Sequence, residues 1–545
     1  MGRRRPGEGY AKVEARLVGG RSVLSRSVHA SPLRVQPMPT ASARRAKAAA
    51  AVIASVGGGL LADDDVQVEV SVGAGATLWL GTQASTKIYK KRRTPYWSGA
   101  AAAATRSRFE ARVAGTLVYA PDPCVPYRGS AYAGTSRYVL EPGASLVTVD
   151  WVQAGRVRMR GGERWVLESF SSRATWQIGD DESAADAVVL DAHSRRGFDL
   201  GGTRRDATAT LAVVGLPEVA SRCLKAARAI ARRSGARVVD EDEDEDFPSL
   251  ASPVALGCSS AGKLLVARLV AADSEDIYRV LHHVLLPLEA ALGSAPYADR
   301  IYGSSSRVSP RDCPDEDDFE SPPLEEAGGS WGQWLGAALR LGDAALPTGG
   351  FAHSGGLEAA SQLGVLRPGD EASLLAFVAA AADTHARLYA PFAKAAARDG
   401  ADLASLDGAL DALLKTHAPA RRASERQGAA VRRIAESLGV ALSPTPTHGA
   451  VAMGFLAATL GLPDLAAAVV FAHATTRDAF SAAVRLGLVG PLRAVALQAR
   501  ALDDQVRRLS AIFPDLDPAT AATSAPLLDA LHAAHDLLEM RLFQS

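Results

Sequence analysis

A polar, glycine-rich stretch, "ALPTGGFAHSGGLEAASQLG" (344–363), interrupts an otherwise alanine-rich region. Residues Thr348 to Gly350 would let the backbone turn where side chains would clash, and the following helix would present free N–H groups with a positive dipole end. Ser354 is placed as its N-cap and Glu358 in its first turn, where negative charge is favoured. A capped junction explains Ser354 and a glycine; it explains the whole cluster of Phe351, His353, Ser354 and Glu358 less well. His353 and Ser354 are not a nucleophile pair. No G-x-S-x-G surrounds them, and sequence neighbours at a helix start do not face each other.

Metal chemistry has one compact candidate. "DALHAAHD" (529–536) sets Asp529, His532 and Asp536 at i, i+3 and i+7 on one helical face, with His535 slightly off it. Imidazole with carboxylate suits nickel or zinc, yet an ordinary polar helix face explains these residues more simply. His282 and His283 are adjacent, diverge around a helix, and read as surface and core-edge residues. "GCSSAGKL" (257–264) has the G-x-x-x-x-G-K spacing of a phosphate loop. Leu264 stands where a hydroxyl should ligate magnesium, and strand-like "KLLVARLVA" follows where that loop needs a helix, so the motif reads as a hairpin turn. "KIYKKRRTPYW" (87–97) interleaves basic and aromatic residues as a nucleic-acid surface would. On a neutral chain it reads instead as a solvated strand end or protein-docking patch. No nucleophile stands out, so no catalytic residue is assigned.

Composition bounds the scaffold that must position these residues. The chain has 545 residues, 48% hydrophobic and 22% charged, enough for substantial cores. Lys plus Arg equals Asp plus Glu at 60 each, so no global field draws it to nucleic acid or to an anionic membrane. Cys124, Cys223, Cys258 and Cys313 lie far apart without a C-x-x-C pair, which argues for a reducing compartment and against a disulfide framework or zinc knuckle. "MGRRRPGEGYAKVEARL" lacks the apolar run of a secretory signal. No stretch reaches the ~18 uncharged apolar residues of a membrane span. "AKAAAAVIASVGGGLLA" (46–62) comes nearest and reads as buried or linking. Strand-like alternation begins near Tyr10, which favours the cytoplasm over a plastid transit peptide.

The chain changes character near residue 304. Before it, "YAKVEARLV", "VQVEVSV", "ATLWLGT", "RYVLE" and "SLVTVDWV" alternate or cluster β-branched and aromatic residues between turn signals, as strands do. One helix, "EVASRCLKAARAIARRSG", precedes an acidic run, "DEDEDED" (240–246), that reads as a solvated insertion. "SGAAAAATRSR" (98–108) reads as a low-complexity loop tip. After Ser330, "WGQWLGAALRLG", "EASLLAFVAAAADTHARL", "AAVRRIAESLG" and "APLLDALHAAHDLLEMRLF" place apolar residues at helical spacing. The expected organisation is a β-rich domain with few helices (9–303), an acidic Ser/Pro-rich linker (304–329) and an all-α domain (330–545).

These blocks resemble known families. Residues 331–545 resemble urease accessory protein F: "LRLGDAALPTGGFAHSGGLEAA" is similar to its elbow signature, "THGAVAMGFLAATLGL" (447–462) to a mid-chain helix, "SAAVRLGLVGPL" (481–492) to a third block, and "HDLLEMRLFQS" to its closing tail. Residues 9–303 resemble urease accessory protein D, also called H. "SPLRVQPM" (31–38), "GGGLLADDDVQVEVSVGAGATLWLGTQASTKIYK" (57–90) and "PDPCVPYRGSAY" (121–132) follow its order, while "VDWVQAGR" (149–156) and "HHVLLPLEAALGSAPY" (282–297) look closer to plant-type members. Asp63 departs from the pattern, standing where a glycine is usual.

The resemblance implies a fusion of two subunits that are normally separate, neither of them an enzyme. The D-like half is expected to be a β-helix-like stack of strands and the F-like half an all-helical domain. The implied role is urease maturation: docking on apo-urease, recruiting and gating the accessory GTPase (protein G), and assisting nickel delivery. Nickel would be in transit, GTP would sit on the partner, and no cofactor would be bound tightly. The elbow and tail are expected near the surface shared with the D-like half and the GTPase, with Phe351, His353, Ser354, Glu358 and Arg541 in the partner interface. Thr82, Gln83, Lys87 and Tyr89 are expected to form a scaffold or docking strand, Gln83 and Lys87 facing away from Thr82 and Tyr89 if the strand is regular. Asp150, Glu163 and Glu168 are candidate path-liners, since transient nickel passage favours sparse carboxylates; ordinary exposed charges explain them equally well. The two halves are expected to dock on each other, tethering raising their effective concentration, and dimerisation is left open. The alternative is a metal-handling or interaction scaffold unrelated to urease.

Overall fold

A computed structural model describes residues 8–38, 47–90, 104–157, 162–180, 182–238, 247–301, 334–442 and 445–545. The linker with Cys313, the acidic run and most of "KIYKKRRTPYW" lie outside the described residues.

Alternation in the first half builds two sheets. From Asp65 onward the chain visits them in turn: Asp65–Val72 in one, Thr77–Thr82 in the other, then Thr105–Val113, Thr116–Tyr119, Ala131–Leu140, Ser145–Gln153 and Ser169–Ile178. Successive strands within each sheet pair in parallel, which makes the domain a coil of stacked strands. In-register ladders place Val13, Val70, Ala111, Tyr138 and Trp176 side by side on one sheet, against Leu78, Leu117 and Leu146 on the other. Period-2 alternation puts every second residue into this shared core. On its outer face the second sheet carries helices Pro217–Arg233 and Ser274–Leu285, packed through Val219, Cys223, Ile230, Ile277 and Leu281.

"GCSSAGKL" is a hairpin, joining the antiparallel strands Val254–Ala261 and Leu264–Ala271. His283 is buried edge-on to Phe247, with Nδ1 3.3 Å from Arg222, and His282 Nδ1 lies 3.0 Å from the Pro296 carbonyl. One local expectation fails. Thr105–Val113 is a strand rather than part of a loop tip, because Thr105, Phe109, Ala111 and Val113 point inward and the Thr105 hydroxyl donates to the Leu61 carbonyl. Asp63, which departs from the glycine of the resembling pattern, takes a left-handed backbone at φ 70°, a conformation glycine adopts without strain.

The second half is helical from Leu335 to Ala534. Its last helix is shorter than its pattern: Pro526–Ala534 gives way to a 3₁₀ turn at His535–Leu537, and Leu538–Ser545 leaves as an irregular tail. Among the described residues no helix is long and apolar enough to cross a membrane.

The halves share one core. Val152, Trp165, Phe170, Leu190 and Phe198 of the strand half cluster with Leu357, Phe377, Phe480, Leu527 and Leu531 of the helical half. Helix Pro526–Ala534 crosses strand Val254–Ala261 so closely that a Cβ on Gly257 would lie 2.2 Å from the Ala530 carbonyl oxygen. The first glycine of the phosphate-loop look-alike is thus a contact point for a helix backbone. Thr523 pairs with the strand half in both directions, accepting from Val189 N–H at 2.8 Å and donating to the Ala187 carbonyl at 2.9 Å. Arg387–Asp191 at 2.7 Å spans the seam, and Arg268, paired with Asp186 within the strand half, donates across it to the Thr416 carbonyl at 2.6 Å.

Candidate functional site

The elbow is built around backbone close approach. Gly350, in the 3₁₀ turn Gly350–Ala352, leaves no room for a side chain: its Cβ would lie 1.9 Å from an Asp478 carboxylate oxygen. Helix Leu357–Gln362 starts two residues later than Ser354 requires, with Gly356 at φ 92° as its N-cap. Ser354 is therefore not the cap. Its hydroxyl accepts from Glu358 N–H at 3.4 Å and donates to the Ser545 backbone oxygen at 3.1 Å.

Glu358 does more than favour its own helix end. It is 2% exposed, and its carboxylate accepts from Leu542 N–H at 2.6 Å, Phe543 N–H at 3.1 Å and His535 Nε2 at 2.9 Å. Burial pushes this carboxyl up, but the His535 and backbone hydrogen bonds outweigh burial and hold it below its ordinary value. It satisfies N–H groups of the irregular tail that no helix satisfies, as the Arg237 carbonyl does for Glu539 N–H nearer the helix end. His353, buried, bonds Ser545 Oγ through Nδ1 at 2.7 Å, and Gln544 N–H donates to the Ala352 carbonyl at 2.9 Å. The elbow clasps the tail.

Outside this clasp, Phe351 is 62% exposed, with the Arg485 guanidinium 3.5 Å above its ring. Arg541 is half-exposed and 3.7 Å from Asp536. Met540 and Leu542 are exposed on the same tail.

Two interior cavities lie behind the elbow. One, of about 40 Å³, sits between the sheets and is lined by Tyr138, Asp150, Ser172, Asp186, Arg268 and Asp529. The other, of about 220 Å³, opens among the helices and is lined by His353, His385, His417, Asp478, Asp529 and His532. Asp186, Arg268, Thr523 and Asp529 line both, so the cavities meet at the seam. Asp150 keeps accessible surface although protein encloses it, because that surface faces the inner cavity. Burial raises its pKa against the Ser172 hydroxyl bond. Burial also lifts the Asp529 carboxyl to about 6, with Arg268 opposing the rise. Desolvation, then the Arg268 charge, pushes His417 down to about 3, and desolvation alone pushes His385 to about 4. These imidazoles are neutral at neutral pH.

The structure redistributes the sequence candidates. Asp150 lines a cavity. Glu163 is instead bound by Arg156 and the Arg128 N–H, and Glu168 is exposed on a loop. Asp529 and His532 point inward, but Asp536, beyond the helix end, is held by Arg422 at 2.6 Å and leaves the expected metal face. No three His, Cys, Asp or Glu side chains converge for a metal among the described residues. The "TQASTKIY" block is not one regular strand: it breaks after Thr82 and resumes at Thr86–Ile88, so strict alternation does not apply. Thr82 Oγ1 accepts from Asp122 N–H at 2.8 Å and the Tyr89 hydroxyl donates to the Gly57 carbonyl at 3.4 Å, while Gln83 and Lys87 are exposed. Sequence reasoning missed Asp186, Arg268 and His417. Arg268 had a signal, as the one charge inside the apolar strand run "LLVARLVA". His417, distant in sequence from His532, had none.

The profile of the UreD urease accessory protein matches residues 7–302, and that of UreF matches residues 369–502. The chain is a fusion of the urease accessory protein D and F families. Its first half is 35% identical over 284 residues to Urease accessory protein UreD of Sorangium cellulosum (strain So ce56), 52% of this chain and 80% of the relative. It is 26% identical over 310 residues to Urease accessory protein D of Oryza sativa subsp. japonica, 54% of this chain and 95% of that protein. The second half is 33% identical over 251 residues to Urease accessory protein F of Oryza sativa subsp. indica, 43% of this chain and 93% of that protein. Membership of the two families carries a role in urease maturation.

Proposed function

We propose that this D–F fusion is a non-catalytic, cytoplasmic scaffold that docks on apo-urease, recruits and gates the accessory GTPase, and passes nickel toward urease through its interior. The observation that carries this reading is the pair of cavities meeting at Asp186, Arg268, Thr523 and Asp529, where the D-like and F-like halves are fused into one core. Sparse carboxylates and imidazoles suit a borderline cation that must be held briefly and released. Arg268 offsets their negative charge, so the neck attracts a dication without trapping it. Exposed Phe351, Met540 and Leu542 beside Arg541 offer an apolar, cationic face for the GTPase.

Reconstitution tests the whole reading. Purified chain is added to apo-urease with the GTPase, GTP, nickel and bicarbonate, and urea hydrolysis is compared with a mixture lacking only this chain. Activation that depends on the chain is expected; no difference with folded, cognate partners overturns the reading. Arg541→Ala and Phe351→Ala are expected to weaken GTPase co-purification, and unchanged co-purification removes the elbow-and-tail interface.

A further inference from the structure

The larger cavity, among the helices, brings together two histidines that lie far apart in the chain. His417 precedes helix Ala418–Ser437, and His532 lies on helix Pro526–Ala534. Their rings are 4.9 Å apart between centres and tilted by 53°. With a metal–nitrogen bond of about 2.1 Å and a ring centre about 1.2 Å beyond the nitrogen, two imidazoles at about 90–110° on one ion stand about 4.6–5.4 Å apart. The observed spacing falls inside that range.

Satisfaction of the ring nitrogens points the same way. His417 is 7% exposed, yet its Nδ1 has no hydrogen-bond partner, and neither has His532 Nε2. A buried ring nitrogen without a partner is costly, and a bound ion is one way to satisfy it. His532 keeps accessible surface although protein encloses it, because that surface opens into the cavity. Asp529 Oδ1 lies 3.9 Å from His417 Nε2, near enough to balance added positive charge.

We propose that His417 and His532 form a two-imidazole site for a divalent transition metal, facing the seam cavity and completed by water. Two protein donors rather than three or four make the site exchangeable, which fits a halt on a route more than a resting place. The site rests on the reading that nickel passes through this chain, and it replaces the helix-face site built on Asp529, His532 and Asp536.

The test uses the untagged full-length chain and nickel sulfate alone. X-ray absorption at the nickel edge, on protein loaded with one equivalent, is expected to show scattering from two imidazoles. Calorimetry is expected to show that His417→Ala and His532→Ala each weaken one nickel site by at least about tenfold. Absence of imidazole scattering, or full nickel affinity in both variants with unchanged melting, overturns the site. If a variant fails to fold, the absorption spectrum of the wild-type chain decides alone. Binding is read without urease, so failure here leaves the maturation reading standing. Failed reconstitution with nickel binding intact would count against maturation alone.

Discussion

Glu358 gives the sharpest test of how the elbow and tail are held. Glu358→Ala removes the acceptor for Leu542 N–H, Phe543 N–H and His535 Nε2. Hydrogen bonds to a charged group contribute about 1.5–3 kcal/mol each, but three on one carboxylate share its desolvation cost and do not add. Removing one member of a buried charged cluster costs about 3–5 kcal/mol. Because the tail bears most of these bonds, that loss should first appear as local release of Leu538–Ser545 rather than global unfolding. A loss of about 3 kcal/mol speeds local opening by about 100-fold, which hydrogen exchange on a peptide covering 538–545 would read directly. Glu358→Gln keeps one acceptor oxygen and turns an NH₂ toward a donor, so it should fall between the two. The carboxyl is held below its ordinary 4.5, so the clasp is at full strength above that pH and weakens as pH falls through the depressed folded value. Exchange in Glu358→Ala within threefold of wild type at pH 7 would refute the clasp.

Three further outcomes are expected. Gly257→Ala forces a Cβ to within 2.2 Å of the Ala530 carbonyl, so helix and strand must part; a loss of about 1–3 kcal/mol by denaturant titration is expected, and unchanged stability would show that the seam is not packed this closely. Asp63→Gly relieves a left-handed aspartate at φ 70° and should raise stability by about 0.5–1 kcal/mol, a lower melting temperature counting against strain there. Acidification should destabilise the fold from pH 6.5 downward, because His353 and His385, each lowered to about 4, and His417, lowered to about 3, must stay neutral when folded. Asp529 runs the other way: raised to about 6, its contribution is full below 3.8 and is lost as pH rises through 6, and Asp64, Asp150 and Asp478 are raised in the same sense; His473 and His532, also lowered, join the three histidines against them. A melting temperature that holds or rises between pH 7 and pH 5 would refute the assignment of buried neutral histidines.

The division into a strand half and a helical half was legible because it rests on local periodicity. Alternation in "VQVEVSV" and "SLVTVDWV" reports which residues face a core whatever that core is, and helical spacing in "EASLLAFVAAAADTHARL" does the same for residues 371–388. The fusion was legible from ordered motif blocks. The end of the last helix was not, because the residues past it take partners from other elements, Glu539 N–H the Arg237 carbonyl and Leu542 and Phe543 N–H the Glu358 carboxylate. The helix-face metal set failed for the same reason, since Asp536 lies past that stop and pairs with Arg422.

The amino-acid sequence by itself determined the strand and helix periods, the neutral surface charge and the family blocks, all of which depend on near neighbours in the chain. Tertiary structure alone decided that His417 meets His532, that Arg268 and Asp186 stand at the neck between two cavities, and that Gly257 yields its side-chain space to a helix. Each of these joins residues tens to hundreds of positions apart, and burial in a shared core, not local propensity, sets their distance.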